Sequence, residues 1–413
     1  MSIWNRTVVL AAGFILSAPA VFADDERLLP LFAEIADAVA GHYCDAAFIQ
    51  NEFPALRRKH APAAAAAATR PQFAAAVNAM LAELESSHTR YYTPEDAAYF
   101  QLLSIFRDHP AIRSAFDNHP PPQYPSIGVE TETRAGQTFV AAVFAGGPAA
   151  EAGVLRGDEL LAIDGEPFTP VDSLRPRVNQ TARLTIRRRA DAPPLTLDIR
   201  PRLADPQEEA LAAERASETI LAADGLRIGY IHVLSYAGEE FHEELLRALF
   251  DGPLAEADAL ILDIRNGWGG ANPDYLNLFN RQVPVLSILS REGETIACDS
   301  QWRKPVVLLV NGRVRSGKEI LAYGFKKFGI GAVIGERTAG AVRAGAPFVF
   351  SDGSLLYLAV NDVRVDGETL EGQGVEPDVA MPMPLEYGEG RDPQLDAALQ
   401  HLQAQLRRMN GTI

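Results

Sequence analysis

Along the chain the spacing of apolar and polar positions changes twice. Over residues 26–86 apolar residues recur at helical spacing in "LLPLFAEIADAVAGHY" and "RPQFAAAVNAMLAELE", which predicts two or three helices. The alanine run at 62–68 reads as helix interior. "HTRYYTPEDAAYF" reads as a loop feeding a further helix, with Thr93 and Pro94 as start signals. After the proline-rich break "HPPPQYP" at 119–125 the texture becomes that of short strands: "SIGVETET", "QTFVAAVF", "DELLAIDG", "ARLTIRRR" and "LTLDIRP". One short helix, "GPAAEAG", interrupts them. From residue 226 strands ("RIGYIHVL", "ALILDIR", "PVVLLVN", "GAVIGE") alternate with helices ("GEEFHEELLRALF", "KEILAYGFKKF"), and "DPQLDAALQHLQAQLRRM" reads as a closing helix. Such alternation implies crossover units on a mainly parallel sheet. The expected fold class is a multidomain α/β chain. It comprises an N-terminal helical segment (24–120), a β-rich module (124–203), a mixed α/β core (204–385) and a C-terminal helix (386–413).

The first residues, "MSIWNRTVVLAAGFILSAPAVFADDERLL", carry one Arg, a short apolar stretch and small residues at the spacing of a cleavage site. Residues 1–23 therefore read as a secretory signal cut after Ala23, with the mature chain periplasmic or secreted. The apolar run is short for a membrane span and no second one follows, so no stable span is expected after cleavage. The 413 residues are 47% hydrophobic and 22% charged, enough for a real core. A net charge of -16 argues against nucleic-acid partners, which require a clustered basic surface. Cys44 and Cys298 form no disulfide framework and are read as free thiols. "GHYCD" lacks further clustered ligands and neither CxxC nor HExxH occurs, so no metal is expected. His232, in a strand, and His242, on a charged helix, read as structural or surface groups.

In "NGRVRSGKEILAYGFKKF", Ser316 and Glu319 stand at capping-box spacing. The same position, a helix N-terminus with its dipole, also suits a nucleophile and an oxyanion donor. The residues alone leave both readings open. The turn "NGWGGA" at 266–271 offers backbone N–H groups free of side chains, and without GK[ST] it is no phosphate loop.

The module at 124–203 resembles a PDZ domain. "SIGV" at 126–129 matches that family's carboxylate-binding loop and strand, and "GGPAAEAGVLRGDELLAIDGEPF" its central segment. The resemblance implies that Ile127, Gly128 and Val129 hold the end of a peptide added as an extra strand. The core resembles the one shared by C-terminal processing peptidases, the tricorn protease and interphotoreceptor retinoid-binding protein. That match is carried by "LILDIRNGWGGAN", "PVVLLVNGRVRSGKEILAYGFKKFGIGAVIGERTAGA" and "DGETLEGQGVEPDV". With the N-terminal "SSHTRYYTPED" it spans most of the mature chain.

This second resemblance puts Ser316 on the family nucleophile. The processing-peptidase branch takes its base from a Lys after a Gly in the following loop, where this chain has Ala341 after Gly340. Lys318 lies two residues from Ser316, nearly opposite on a helix. Lys326 and Lys327 are roughly 15 Å down it. The tricorn-like branch uses a Ser-His pair early in the chain and a late carboxylate, matched by "SSH" at 86–88 and "LEGQGV" at 370–375. It implies His88 as base, with Ser87 and Glu371 orienting it, and Gly269 or Gly270 with Gly317 as oxyanion donors. The expected function is an exported serine endopeptidase acting on protein or peptide substrates without a cofactor. The alternatives are a Ser–Lys peptidase using Lys318, or a binding protein on the same core. The sequence leaves oligomeric state open.

Overall fold

The computed structural model describes residues 28–410 apart from residue 224, so residues 1–23, expected to be a signal, lie outside the described residues. Four helices come first: Leu28–His42, Ala46–Asn51, Phe53–Ala65 and Arg70–Ala82. Ala46–Asn51 buries no residue, so apolar spacing could not announce it. Asp45 starts it by accepting the Phe48 N–H at 2.9 Å. The expected loop before the next helix contains a strand, Arg90–Tyr92, paired antiparallel with Leu355–Asn361. Three residues carry no period of their own. The helix itself begins at Ala97, because Thr93 donates its N–H and hydroxyl to Asp96 and so prolongs the turn.

That short strand ties the helical layer to the rest. Leu28, Ile35, Phe73, Val77 and Tyr91 share one buried cluster with Leu356, Leu358 and Ala359 of the distant hairpin Ala344–Val349/Leu355–Asn361. Each of these side chains is shut from water, and each Leu, Ile, Val or Phe among them contributes roughly 1.5–3 kcal/mol of burial.

The β-rich module is an antiparallel sheet in the order Val129–Arg134, Gln137–Val143, Glu159–Ile163, Ala182–Arg187, Leu195–Ile199. "SIGVETET" is split within it. Tyr124–Ser126 pairs with Arg202–Ala204, and Gly128, at φ 75°, turns the chain into Val129–Arg134, an edge strand. A side chain at position 128 would be strained by that dihedral.

The core sheet has six strands in the order Thr219–Ala223, Leu226–His232, Ala259–Asp263, Val306–Val310, Ala332–Gly335, Val379–Ala380, and all neighbours but the first pair are parallel. Continuous apolar runs such as "ALILD" and "VVLLV" are what a sheet covered on both faces requires. Leu260, Leu262, Leu308 and Val310 face helices Pro206–Ser217, Glu239–Phe250 and Gly317–Lys327. Ile261, Val307 and Leu309 face the closing helix Pro393–Asn410.

Leu358→Ala removes a fully buried contact between the hairpin and the N-terminal helices. It should destabilise the protein by about 2–5 kcal/mol in urea unfolding. Hydrogen exchange should show the lost protection in both Leu28–His42 and Leu355–Asn361, since they share one core.

Candidate active site

Strands Ala259–Asp263, Val306–Val310 and Ala332–Gly335 run parallel, so their C-terminal ends open onto one crevice, the usual site position in such sheets. The first loop is anchored below by a buried ion cluster. Arg265 grips Asp263 (2.6 and 2.9 Å) and Asp392 (2.7 and 2.9 Å), and Tyr230 donates to Asp263 at 2.9 Å. Despite full burial, Arg265 holds the Asp263 carboxyl far below the usual carboxylate range. The two loops are stitched by an asparagine pair. Asn311 donates to the Asn266 side chain at 3.0 Å and accepts the Asn266 N–H at 3.2 Å.

Above this base the Gly-rich turn touches Ser316 directly. A Cβ on Gly269 would sit 2.4 Å from the Ser316 Cβ and 3.0 Å from its Oγ, and one on Gly317 would sit 2.4 Å from the Ala271 backbone. Only glycine fits at either position. The N–H groups of Gly269, Gly270 and Gly317 donate to no acceptor among the described residues. They are therefore free to meet a developing negative charge beside Ser316.

Ser316 precedes helix Gly317–Lys327 with φ 57° and ψ -135°. From that conformation its side chain makes no capping bond, and its N–H donates instead to Ala341 O at 2.7 Å. Glu319 does not reach back either. It accepts from Thr338 Oγ1 (2.5 Å) and from the N–H groups of Gly340 (2.7 Å) and Ala341 (2.6 Å). The capping box expected from the spacing is absent, because the left-handed dihedral at Ser316 turns its hydroxyl out of the helix. Such strain in a non-glycine residue concentrates at functional sites, and His88 (φ 52°) and Asn266 (φ 57°) share it.

Lys318 lies on the buried side of the same helix. Its amine donates to Leu234 O (2.8 Å) and Asn266 O (3.0 Å), which braces the Gly-rich turn from behind. Burial pushes its pKa down to about 7. No hydrogen bond links it to Ser316. The sequence did carry a signal for this role: Lys318 sits three, four and seven residues before the buried Leu321, Ala322 and Phe325, on the apolar stripe. Lys326 and Lys327 are engaged elsewhere, with Asp378 at 3.3 Å and Asp366 at 2.7 Å.

The residues 284 positions apart do meet. Ser87 donates its N–H to Glu371 Oε1 and its hydroxyl to Glu371 Oε2, each at 2.9 Å, and Ser87 Oγ lies 2.9 Å from His88 Nδ1. A hydroxyl has one proton, and here it goes to the carboxylate. His88 must therefore donate from Nδ1, which leaves Nε2 as an unprotonated acceptor. Burial first, then the charge of Arg315, push His88 down to about 4 against the opposing pull of Glu371. Burial would raise Glu371, but donors from Ser87, Val342 (2.8 Å) and Arg343 (3.1 Å) outweigh it and hold the carboxyl below its ordinary value. The Tyr357 ring packs edge-on against His88 at 5.3 Å. Among the described residues no hydrogen bond joins His88 to Ser316 Oγ. They are connected through the segment that binds Ser316 N–H at Ala341 and Glu371 at Val342 and Arg343.

At the β-rich module Ile127 is buried in the local core, and the Gly128 N–H is already given to Ser126 Oγ at 2.9 Å. Ile127 and Val129 border a cleft of about 470 Å³ that reaches Trp268 and Arg315. Arg313 crosses this border, bonding Glu132 at 2.9 Å and Glu130 at 3.2 Å on the edge strand. Nothing in the sequence pattern announced Arg313, Arg315 or Trp268. His232 donates its Nε2–H to Arg265 O (2.9 Å), and His242 stacks on Tyr275 at 3.9 Å, both as structural groups. Cys44 and Cys298 are free, and among the described residues no His, Cys, Asp and Glu cluster suits a metal.

Residues 227–381 match the model of peptidase family S41, and residues 139–188 match that of the PDZ domain. The carboxyl-terminal-processing protease of Synechocystis sp. is 27% identical over 376 residues, covering 86% of this chain and 82% of that relative. The putative tricorn protease homolog 2 of Streptomyces coelicolor is also 27% identical, over 72% of this chain but only 27% of its own length. The crystal structure of the tricorn protease shares the fold with a TM-score of 0.56 and 21% identity, over 93% of this chain and 37% of that one. The chain is thus a serine-type peptidase whose residues 227–381 match the family S41 core, preceded by a segment that matches the PDZ domain.

Proposed function

We propose that the chain is an exported endopeptidase that hydrolyses peptide bonds of protein substrates with Ser316 as nucleophile and His88 as general base. The observation that carries this reading is the Glu371–Ser87–His88 chain, which fixes the imidazole tautomer with Nε2 free. Ser316 Oγ attacks the scissile carbonyl as its proton passes to Nε2, and the oxyanion is received by the N–H groups of Gly317 and of Gly270 or Gly269. His88 then returns the proton to the leaving amine, and water releases the acyl-enzyme. Substrate binding closes the gap between Ser316 and His88, a contact that tightens in the loaded state. Lys318 is not a base in this scheme. Its amine is spent on two carbonyls, where it positions the oxyanion turn.

The PDZ domain supports recognition of chain ends, with Ile127, Gly128 and Val129 at the head of its groove, and the word "carboxyl-terminal" in a relative's name points the same way. The reading of residues 1–23 as a signal supports export to the periplasm or beyond. Among the described residues no helix is long and apolar enough to cross a membrane.

A fluorophosphonate probe should label the protein at Ser316, and Ser316→Ala should abolish labelling. His88→Ala should slow it by about 10²–10⁴-fold; an unchanged rate would remove His88 as base.

Because His88 titrates near 4 in the folded protein, it stays neutral across the usual pH range. The acid limb of kcat/KM should therefore have its midpoint near pH 4. A midpoint near the ordinary 6.5 would contradict this environment.

Lys318→Met keeps the buried stem but frees Leu234 O and Asn266 O. It should lower kcat by about 100-fold through displaced donors, with KM little changed and circular dichroism native-like.

A further inference from the structure

The cleft between the PDZ edge strand and the core carries Arg90 and Arg315, neither of which bonds a carboxylate among the described residues, although Arg90 attracts Asp96. Arg90 is exposed and lies over the Tyr92 ring at 5.6 Å. Arg315 is different: it is half-buried, immediately precedes Ser316, and stacks on the Trp268 ring at 4.7 Å. Trp268 is itself fixed, donating its indole N–H to Gln101 at 2.9 Å and its backbone N–H to Leu234 O at 3.0 Å. The acids bordering the cleft are committed elsewhere. Glu130 bonds Arg313, Asp96 takes both Thr93 donors, and Glu95 faces Arg70 at 3.6 Å. Glu130 attracts Arg315 only at longer range. A cation partly withdrawn from water without a bonded counter-ion is costly, and an arriving anion offsets that cost. A guanidinium held flat by an aromatic face presents its fork to a planar carboxylate.

We propose that Arg315 is a specificity-determining residue that binds a carboxylate of the peptide substrate beside the scissile bond. The carboxylate comes either from the substrate's C-terminus or from an Asp or Glu side chain. This inference rests on the reading of Ser316 as nucleophile. It also gives the cation a second use. Glu371, Arg315 and the Tyr357 ring are the groups that face His88, and Arg315 is the one that disfavours its protonated form. A bound carboxylate neutralises Arg315 and so makes His88 a stronger base when substrate is in place.

The test uses the full chain carrying Ser316→Ala, so that binding is measured without turnover. Calorimetry compares three acetylated alanine–glycine hexapeptides: one amidated with a Glu scanned through its positions, the matching Gln series, and one with a free C-terminus. The carboxylate peptide should bind about tenfold tighter than its neutral partner, and the free-terminus and Glu arms separate the two sources. Arg315→Gln should erase the difference and Arg315→Lys should keep part of it. In the active enzyme, Arg315→Gln should also move the acid limb of kcat/KM upward, which a merely structural residue would not do. Equal affinities, no binding by the carboxylate peptides at millimolar concentration, or a preference that survives Arg315→Gln would each overturn the assignment. Fluorophosphonate labelling of the active enzyme reports on Ser316 independently of these outcomes.

Discussion

Four consecutive backbone N–H groups, from Gly340 to Arg343, are shared between two carboxylates, and the site is built around that arrangement. Glu319 takes Gly340 and Ala341, and Glu371 takes Val342 and Arg343. The segment held in this way accepts the Ser316 N–H on Ala341 O and presents Glu371 to Ser87. One turn therefore sets both the strained serine on the core and the histidine on the N-terminal layer. The two acids differ in the balance of burial and donors. Glu319 is fully buried and its pKa is raised by burial, whereas the donors around Glu371 keep it ionised. An ionised Glu371 is what makes the Ser87 hydroxyl point its proton away from His88.

In the proposed mechanism the same turn has no need of a lysine after Gly340. Ala341 contributes only backbone there: its N–H and carbonyl are both engaged, and its side chain is not required. The proposed base comes from outside the core, beside a strand that pairs Arg90–Tyr92 with Leu355–Tyr357. The packing of the N-terminal helices on that hairpin is thus part of the site's geometry, because it sets where residues 87 and 88 enter the crevice.

Much of this was legible in the sequence wherever the signal was periodic. The four central core strands from Leu226–His232 to Ala332–Gly335, the PDZ strands and most of the long helices follow from runs of apolar residues, since burial of a sheet face or a helix stripe imposes a period. The edge strands Thr219–Ala223 and Val379–Ala380 and the hairpin Ala344–Val349/Leu355–Asn361 were not read. Residues 87, 88, 316 and 371 came from resemblance, because no local pattern can tell that two segments 284 residues apart share a carboxylate. What the spacing misread was Ser316 and Glu319. Four residues suited to a capping box say nothing of the backbone dihedral, and the dihedral decided the matter. The hairpin Leu286–Leu289/Thr295–Cys298, the strand Arg90–Tyr92 and the helix Pro206–Ser217 were passed over. In the first two the segments are too short for a period, and in the third the buried residues include Gln207, Glu209 and Glu214 as well as alanines, so no apolar stripe shows.

The charges around the crevice are divided by what each must do. Lys318 lies behind the Gly-rich turn, where its amine donates to two carbonyls and braces the backbone of the proposed oxyanion donors. Arg315 lies in front, on the cleft side, with an aromatic face beneath it and no bonded acid. Both cations favour a negative charge developing near Ser316, and Arg315 also disfavours a second positive charge on His88. A histidine lowered to about 4 is neutral at pH 7, but it is a weak base. The cleft can hold an unneutralised arginine next to that histidine only at a cost to the empty enzyme. That cost is returned when a negatively charged part of the substrate arrives, so the proposed base is strengthened at the moment it is needed.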